Sequence, residues 1–225
     1  MEITWLGQAG LLFETACLKI IVDPYLSDSI ERLEPVKYRR MPVDERFLNV
    51  QPDILIFTHS HLDHFDPDTV KHYLNHEKST IVLAPRNTWE RAKKFGGNHN
   101  YVMFDRCTEW SFQNLRFRAV KAVHSDLYAI GIVMETERKK YYITGDTLYN
   151  TMIFQDIPEE IEVLFLPVNG TGNNMNMRDA ERFSRRVNPK KTIPIHFGMF
   201  DDIDPYEIRL ENVIVPKIYE KIRLL

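Results

Sequence analysis

Three histidines and an aspartate lie within six consecutive positions of this sequence. They are His59, His61, Asp63 and His64, and they directly follow an apolar segment, residues 52–58. One histidine is common in a core or on a surface, but burying this many polar side chains without partners would cost several kcal/mol. Bound cations would offset that cost, because imidazole and carboxylate groups are good ligands for divalent metals. The spacing therefore predicts a metal site.

The order of residues within this run favours two metals. Residues i and i+2 of an extended chain point to the same side, so His59 and His61 can bind one cation together. Asp63 and His64 then turn toward a second cation, because a helix start is predicted immediately afterwards at Asp66.

Three further candidate ligands stand where other apolar segments end. They are His124 after residues 115–123, Asp146 after residues 140–144, and His196 after residues 191–195. Strand ends often carry the reactive groups of enzymes, because the sheet fixes their direction while the adjoining loops stay open to substrate. We expect these strand ends to meet the histidine run at one cleft.

The elements that must position these residues are mostly strands. Ten segments are rich in Ile, Val, Phe and Tyr and are bounded by Pro, Gly, Asp or Asn. They are residues 3–6, 10–14, 18–22, 54–57, 80–84, 115–123, 129–135, 140–144, 163–166 and 191–195. Capping residues and helical spacing predict helices at 66–75, 87–95 and 176–187. The charged, proline-containing segment 27–49 is predicted to be a long loop.

Many largely apolar strands with few helices indicate sheets that pack on each other and carry helices on their outer faces. A four-layer αββα sandwich of the α/β class is one such arrangement. The chain has 225 residues, 44% of them hydrophobic, which is enough for one core, so residues 1–225 are taken as a single domain.

The composition of the chain bears on which classes of partner it can bind. A formal net charge of -3 does not favour nucleic acid. The first residues lack the features of a signal peptide, and no run approaches the roughly 20 apolar residues of a membrane span. We expect a cytoplasmic protein with no membrane partner.

Cys17 and Cys107 lack the spacing of a thiolate zinc site and are interpreted as buried or inert thiols. The pattern does not indicate an oligomeric state.

These motifs resemble those of the metallo-β-lactamase-fold hydrolases, and among them the branch that includes the ascorbate-6-phosphate lactonases. The resemblance rests on residues 58–64, His124, Gly145-Asp146-Thr147 and Ile195-His196, with support from residues 7–10 and 22–26. It implies the αββα fold and a ligand set for two metals. The implied ligands are His59, His61 and His124 for one metal, Asp63, His64 and His196 for the other, and Asp146 as a bridge. Asp23 would orient a ligand from outside the coordination sphere.

Three features of this sequence argue against particular members of the family. Neither cysteine lies at a ligand position, unlike in the β-lactamases that use a cysteine ligand. His61 stands where the flavodiiron relatives carry Glu, which argues against reduction of oxygen or nitric oxide. Superfamily nucleases with an inserted domain need a longer chain, which argues against RNA processing without excluding it.

The resemblance and the ligand types together predict a dinuclear metal-dependent hydrolase, with Asp63 and Asp146 as catalytic residues. Two cations roughly 3.5–4 Å apart can lower the pKa of a shared water to about 7 and supply a metal-bound hydroxide. On a lactone this hydroxide would attack the acyl carbon, and the leaving alkoxide would take a proton from Asp63 or from a bound water. The ligands suit Zn²⁺, Mn²⁺ and Fe²⁺ alike. The lactonase resemblance favours Mn²⁺ and the wider family favours Zn²⁺.

A Gly- and Asn-rich segment, residues 167–176, precedes the third predicted helix. Amide groups at a helix N-terminus can bind an anion, so Asn169, Asn174 and Arg178 are predicted to contact a substrate phosphate or carboxylate. A tight turn with left-handed glycines explains the segment equally well. The predicted substrate is a small sugar-derived lactone, phosphorylated or not. A phosphodiesterase of the same fold and a metal-binding module without turnover are the alternatives.

Overall fold

The computed structural model describes residues 1–224, which form two six-stranded sheets. In each sheet the strands are neighbours in the order of the chain. The first sheet consists of β1 (Glu2–Gly7), β2 (Gly10–Glu14), β3 (Lys19–Val22), β4 (Ile54–Ile56), β5 (Ile81–Ala84) and β6 (Asn100–Met103). The second consists of β7 (Glu109–Phe112), β8 (Leu115–Lys121), β9 (Ile130–Glu135), β10 (Lys140–Ile143), β11 (Val163–Pro167) and β12 (Lys191–Ile195). Each sheet thus uses one continuous half of the chain.

The helices lie between these strands. They are α1 (Ser29–Leu33), α2 (Glu45–Leu48), α3 (Pro67–Leu74), α4 (Arg86–Ala92) and α5 (Met177–Val187), with 3-10 turns at Lys93–Phe95, Thr151–Gln155 and Pro205–Glu207. α3 begins where the sequence predicts it, because the Asp66 carboxylate accepts hydrogen bonds from the amides of Asp68 and Thr69. No helix within residues 1–224 is long and apolar enough to cross a membrane.

The two sheets pack face to face around the main hydrophobic core. Phe13 of β2 packs edge-on against Phe165 of β11, with ring centroids 5.7 Å apart. On the outer face of the first sheet, Val70 of α3 and Ala92 of α4 are buried in a second apolar cluster. On the outer face of the second sheet, Phe183 of α5 packs near Tyr142. The predicted four-layer α/β arrangement is confirmed.

The structure corrects three expectations. β6 and β7 are absent from the predicted strands, because both are short edge strands without a single fully buried residue and so show no continuous apolar run. The segment 27–49 is not wholly a loop, since it contains α1 and α2. Cys17 and Cys107 are both exposed, so of the two interpretations, buried or inert thiols, burial is wrong.

Strand direction determines where the candidate site lies. β3, β4, β5 and β6 run parallel in the first sheet, and β10, β11 and β12 run parallel in the second. The loops after the carboxyl ends of parallel strands open at the same edge of a sheet. The loops after β4, β10 and β12 carry the histidine run, Asp146 and His196 respectively.

Candidate metal centre

The histidine run forms a compact turn between β4 and α3. His59 and His64 are fully buried, and their ring centroids lie 4.0 Å apart. The turn closes because the amides of His64 and Phe65 both donate to the carbonyl of His61, at 3.1 and 2.7 Å. This folding brings residues five positions apart in the sequence into contact.

One group of three possible ligands combines the two halves of the chain. One donor atom each from His59, His61 and His124 lies within 4.8 Å of the others. His124 Nε2 and His61 Nδ1 are 3.0 Å apart, although the two residues belong to loops of different sheets. The structure therefore brings together the three residues predicted for the first metal.

A second group contains Asp63, His64 and His196, again within 4.8 Å of one another. His196 Nε2 lies 3.1 Å from Asp63 Oδ2. His196 follows β12 directly and has a left-handed backbone with φ of 61°. Its amide donates to the carbonyl of Gln8 at 2.8 Å, which ties the end of β12 to the loop after β1.

Asp146 lies between the two groups. Its Oδ1 is 3.2 Å from His64 Nε2, and its Oδ2 is 3.3 Å from His196 Nε2 and 3.8 Å from His124 Nε2. It also forms a compact donor group with His59 and His64. The side-chain amide of Asn174 donates to Asp146 Oδ2 at 2.8 Å and holds that carboxylate in place.

Asp23 lies behind the ligand groups, where the sequence places it. It is fully buried, and its Oδ2 is 2.8 Å from His64 Nδ1 while its Oδ1 accepts the amide of Thr58 at 2.8 Å. A proton on His64 Nδ1 would be donated to this carboxylate, which leaves Nε2 of the same ring for the centre.

Burial and the neighbouring charges together change the pKa values of the histidines in the cluster. Burial lowers the pKa of His59 and of His124. Burial also disfavours protonation of His64 and His196, but the carboxylates of Asp146 and Asp63 outweigh it. They raise the pKa of His64 well above its usual value and that of His196 to about 9.

The pKa values of the two carboxylates, Asp63 and Asp146, change in the opposite direction to those of His64 and His196. Burial by itself would raise the pKa of Asp63 and of Asp146, but the neighbouring His64 and His196 rings lower both. Without a metal, the cluster is thus a set of paired charges inside the protein.

Orphaned nitrogen atoms test whether this cluster fits metal ions. His59 Nε2 is among the buried side-chain atoms of residues 1–224 that have no hydrogen-bond partner, and so is His64 Nε2, which faces Asp146 Oδ1 at 3.2 Å without forming a hydrogen bond. A buried polar atom without a partner costs about 1–3 kcal/mol. Five imidazoles and two carboxylates form the donor set, and such ligands suit Zn²⁺, Mn²⁺ or Fe²⁺. The residues fit the binding of divalent metal.

Sequence reasoning missed the contribution of Gln8. Its Nε2 donates to Asp63 Oδ2 at 2.8 Å and lies 3.0 Å from His196 Nε2. The side chain is only 3% exposed, and the backbone is left-handed with φ of 46°. A polar residue in a short turn between two apolar strands was the signal available in the sequence.

A cavity of about 730 Å³ opens over the centre and includes Asp63, Asp146 and His196 in its lining. Asn169 lines it, and its side-chain amide lies 2.9 Å from His196 Nδ1. Asn174 also reaches it but is 4% exposed.

The structure does not bring Arg178 to the cavity. It is an exposed residue of α5, near its N-terminus, and is not part of the lining. The reason is helical geometry, because successive residues of a helix point in different directions and α5 packs its apolar side on the second sheet. The histidines outside the cluster behave as expected for surface or structural positions. His72 and His76 are exposed, and His99 bonds to the backbone of Leu74 and Thr80.

Comparison with known proteins agrees with this arrangement. The family model of the beta-lactamase superfamily domain matches residues 2–196. A UPF0173 protein of Pyrococcus furiosus is 24% identical over 212 residues, covering 94% of this chain and 90% of the relative. A UPF0173 metal-dependent hydrolase of Staphylococcus aureus is 27% identical, covering 93% and 92%. Among solved structures, the metallo hydrolase Igni18 of Ignicoccus hospitalis has a TM-score of 0.78 at 18% identity, covering 98% of this chain and 97% of that one.

Proposed function

The chain belongs to the beta-lactamase superfamily, and from that premise we propose that it is a dinuclear metal-dependent hydrolase of small lactones or esters. The observation that carries the proposal is the position of Asp146. One oxygen of its carboxylate faces His64, and the other faces both His196 of the same donor group and His124 of the other group. A carboxylate shared in this way suits two neighbouring cations better than one.

Each residue of the cluster has a role in this proposal. His59, His61 and His124 would hold one ion, Asp63, His64 and His196 the other, and Asp146 would contact both. A pair of divalent ions, when bound, activates water for attack and polarises the carbonyl or phosphoryl oxygen of a substrate. The hydrolase names of the Staphylococcus aureus and Ignicoccus hospitalis proteins support the reaction class.

The protein's own groups move protons and hold the centre rigid. The Asp63 side chain is 19% exposed and lines the cavity, so its carboxylate can accept a proton from water and return it to the leaving alkoxide. The neighbouring His64 and His196 lower the pKa of Asp63, which keeps its carboxylate ionised and able to bind a cation. Asn174 orients Asp146 through its hydrogen bond, and Asn169 contacts the His196 ring beside it.

The cavity favours a small molecule as substrate. Its volume of about 730 Å³ lies in the range of about 300–1,000 Å³ that is typical of small-molecule sites. The net charge of -3 gives no support to a nucleic-acid substrate. The position of Arg178 removes the cation on which the prediction of a phosphorylated substrate rested.

Metal content is the first test of the proposal. We expect about two Zn²⁺, Mn²⁺ or Fe²⁺ ions per chain in protein purified without chelator, measured by elemental analysis. His61→Ala and Asp146→Asn should each lower the metal content and reduce hydrolysis at least about 100-fold, since each removes a ligand. His72→Ala is the control, because His72 is exposed on α3. Full activity in His61→Ala would contradict the ligand assignment.

A substrate panel tests the reaction class. Metal-loaded protein is assayed with lactones, with p-nitrophenyl esters and with bis(p-nitrophenyl) phosphate. We expect hydrolysis of lactones and carboxylic esters. Hydrolysis of the phosphodiester alone would identify a phosphodiesterase of the same fold. Stoichiometric metal without hydrolysis of any member would indicate a metal-binding module.

A further inference from the structure

The lining of the cavity over the candidate centre is of two chemical kinds. Polar groups come from the metal-ligand cluster and from the Asn-rich loop between Asn169 and Asn174. Four apolar residues, Ile30, Leu33, Leu62 and Phe200, line it as well; these four residues are called the apolar wall below. The wall comes from three separate parts of the chain, and none of its residues belongs to the ligand set.

The apolar wall is held by buried contacts beneath it. The hydroxyl of Tyr25, a residue 1% exposed, accepts the amide of Ile30 at 3.2 Å, and its ring lies 5.6 Å from that of Phe200. Arg39, whose side chain is 2% exposed, donates to the carbonyl of Tyr25 at 2.7 Å. α1 is therefore anchored in position although Leu33 itself is 74% exposed. An exposed leucine on an anchored wall is available for contact with a ligand.

The charges around the cavity do not favour an anionic group. Within residues 1–224, the charged residues that line the cavity and do not belong to the ligand set are Glu34, Lys37 and Asp201. Lys37 Nζ is paired with Glu34 at 2.7 Å. Asp201 accepts backbone amides from Gly198 and Ile203 and remains a negative charge at the rim. A phosphate or carboxylate placed away from the metals would compete with Glu34 for Lys37 and would face the Asp201 carboxylate.

We propose that the apolar wall binds an uncharged, apolar group of the substrate, next to the bond that is hydrolysed. This inference rests on the proposed function and specifies its substrate class as neutral lactones or esters with an alkyl or aryl group. The metal centre contacts the reacting acyl group, and the wall contacts the apolar remainder. Selectivity for apolar substrates arises because their apolar surface is transferred from water into contact with Leu33 and Phe200.

Kinetics on a homologous series test the proposal. The metal-loaded protein is assayed with p-nitrophenyl acetate, butyrate, hexanoate and octanoate, and with the mono-p-nitrophenyl ester of succinic acid. We expect kcat/KM to rise about two- to fourfold for each added methylene and to fall from butyrate to the charged succinate ester. Equal values along the series, or a preference for succinate, would overturn the proposal.

A matched pair of variants assigns the effect to the wall. Leu33→Ser changes a residue that lines the cavity, whereas Val36→Ser changes a nearby residue that is 85% exposed and outside the lining. We expect Leu33→Ser to reduce the ratio of octanoate to acetate kcat/KM about fivefold. Val36→Ser should keep the wild-type ratio. If both variants keep that ratio, the wall does not contact the substrate.

Binding of octanamide and acetamide, measured calorimetrically, separates this inference from the proposed function. We expect octanamide to bind more tightly, with a negative heat-capacity change from apolar burial, and about fivefold more weakly to Leu33→Ser than to Val36→Ser. If the protein hydrolyses no ester but binds octanamide in this way, the proposed function fails and the wall assignment stands. If esters are hydrolysed without chain-length preference and octanamide does not bind, only the wall assignment fails.

Discussion

At the scale of single residues, Gln8 contacts candidate ligands from both halves of the chain. Its amide donates to Asp63 and adjoins His196, and its carbonyl accepts the amide of His196 and the indole N–H of Trp5. A left-handed backbone is unfavourable for a residue with a β-carbon, so the surrounding contacts must hold it. Gln8 thereby fixes the spacing between the two ligands.

We expect Gln8→Asn to weaken metal binding about 10- to 100-fold, as loss of a group that orients ligands does. Asparagine tolerates left-handed backbone, but its shorter side chain cannot reach Asp63 and His196. Titration with Zn²⁺ in competition with a chromophoric chelator measures the change. Gln113→Asn is the control, because Gln113 is also left-handed, with φ of 53°, but is exposed and outside the cavity lining. Equal affinity in both variants would contradict the role of Gln8.

The raised pKa values of His64 and His196 predict that protons are released when metal binds. Their raised pKa values keep both rings protonated at pH 7 in the metal-free protein. A cation binds only the unprotonated ring, so binding at pH 7 should release about two protons. Apparent affinity should rise with pH and level off for His196 above its pKa of about 9. Calorimetric titration in two buffers of different ionisation heat counts the protons. Identical heats in both buffers would contradict the prediction.

At the scale of elements, the loop after β10 meets the loop after β4 at Gly145. Gly145 has φ of 60°, and a β-carbon there would lie 2.7 Å from the carbonyl oxygen of Ile130 and 2.9 Å from Thr58 Cβ. Ile130 also donates its amide to the carbonyl of Thr58 at 3.0 Å. The two sheets therefore touch where Asp146 leaves its strand.

We expect Gly145→Ala to lower the free energy of unfolding by about 2 to 4 kcal/mol, because it adds a steric conflict to an unfavourable backbone. Gly172→Ala is the matched control. Gly172 has φ of 65° but open space around its α-carbon, so the cost should be only about 1 kcal/mol. Urea unfolding of the metal-free variants measures both. Elemental analysis should also show reduced metal in Gly145→Ala, since Asp146 is displaced.

At the scale of the whole molecule, the candidate metal centre joins the two sheets. The ligands from His59 to His64 follow the first sheet, whereas His124, Asp146 and His196 follow strands of the second. Bound ions would therefore link the two layers at the edge of the shared core. A ligand that binds only the folded state stabilises that state by mass action.

Removal of metal should therefore lower the thermal stability. We expect excess chelator to reduce Tm by roughly 5–10 °C, from a binding contribution of about 3 kcal/mol in a chain of this size. The measurement is calorimetry on metal-loaded and chelator-treated protein. The His72→Ala variant should show the same shift, and His196→Ala a smaller one. An unchanged Tm after verified metal removal would show that the ions do not bridge the sheets.

The sequence by itself determined most of the elements and the candidate donors. Apolar periodicity and capping residues are local, so they predicted ten of the strands and the helix that begins after Asp66. The histidine run is also local, and strand ends indicated His124, Asp146 and His196, which the structure brings to the same place. Their roles as ligands stay a prediction that metal analysis must test.

Only the tertiary structure decided which distant residues share one environment. It placed Gln8 between Asp63 and His196, left Arg178 outside the cavity, and set Leu33 and Phe200 on one wall. The physical reason is that such contacts depend on how the two sheets pack and on the paths of the loops, which no short stretch of sequence specifies. The edge strands β6 and β7 also required the folded sheets, because backbone pairing rather than apolar composition defines them.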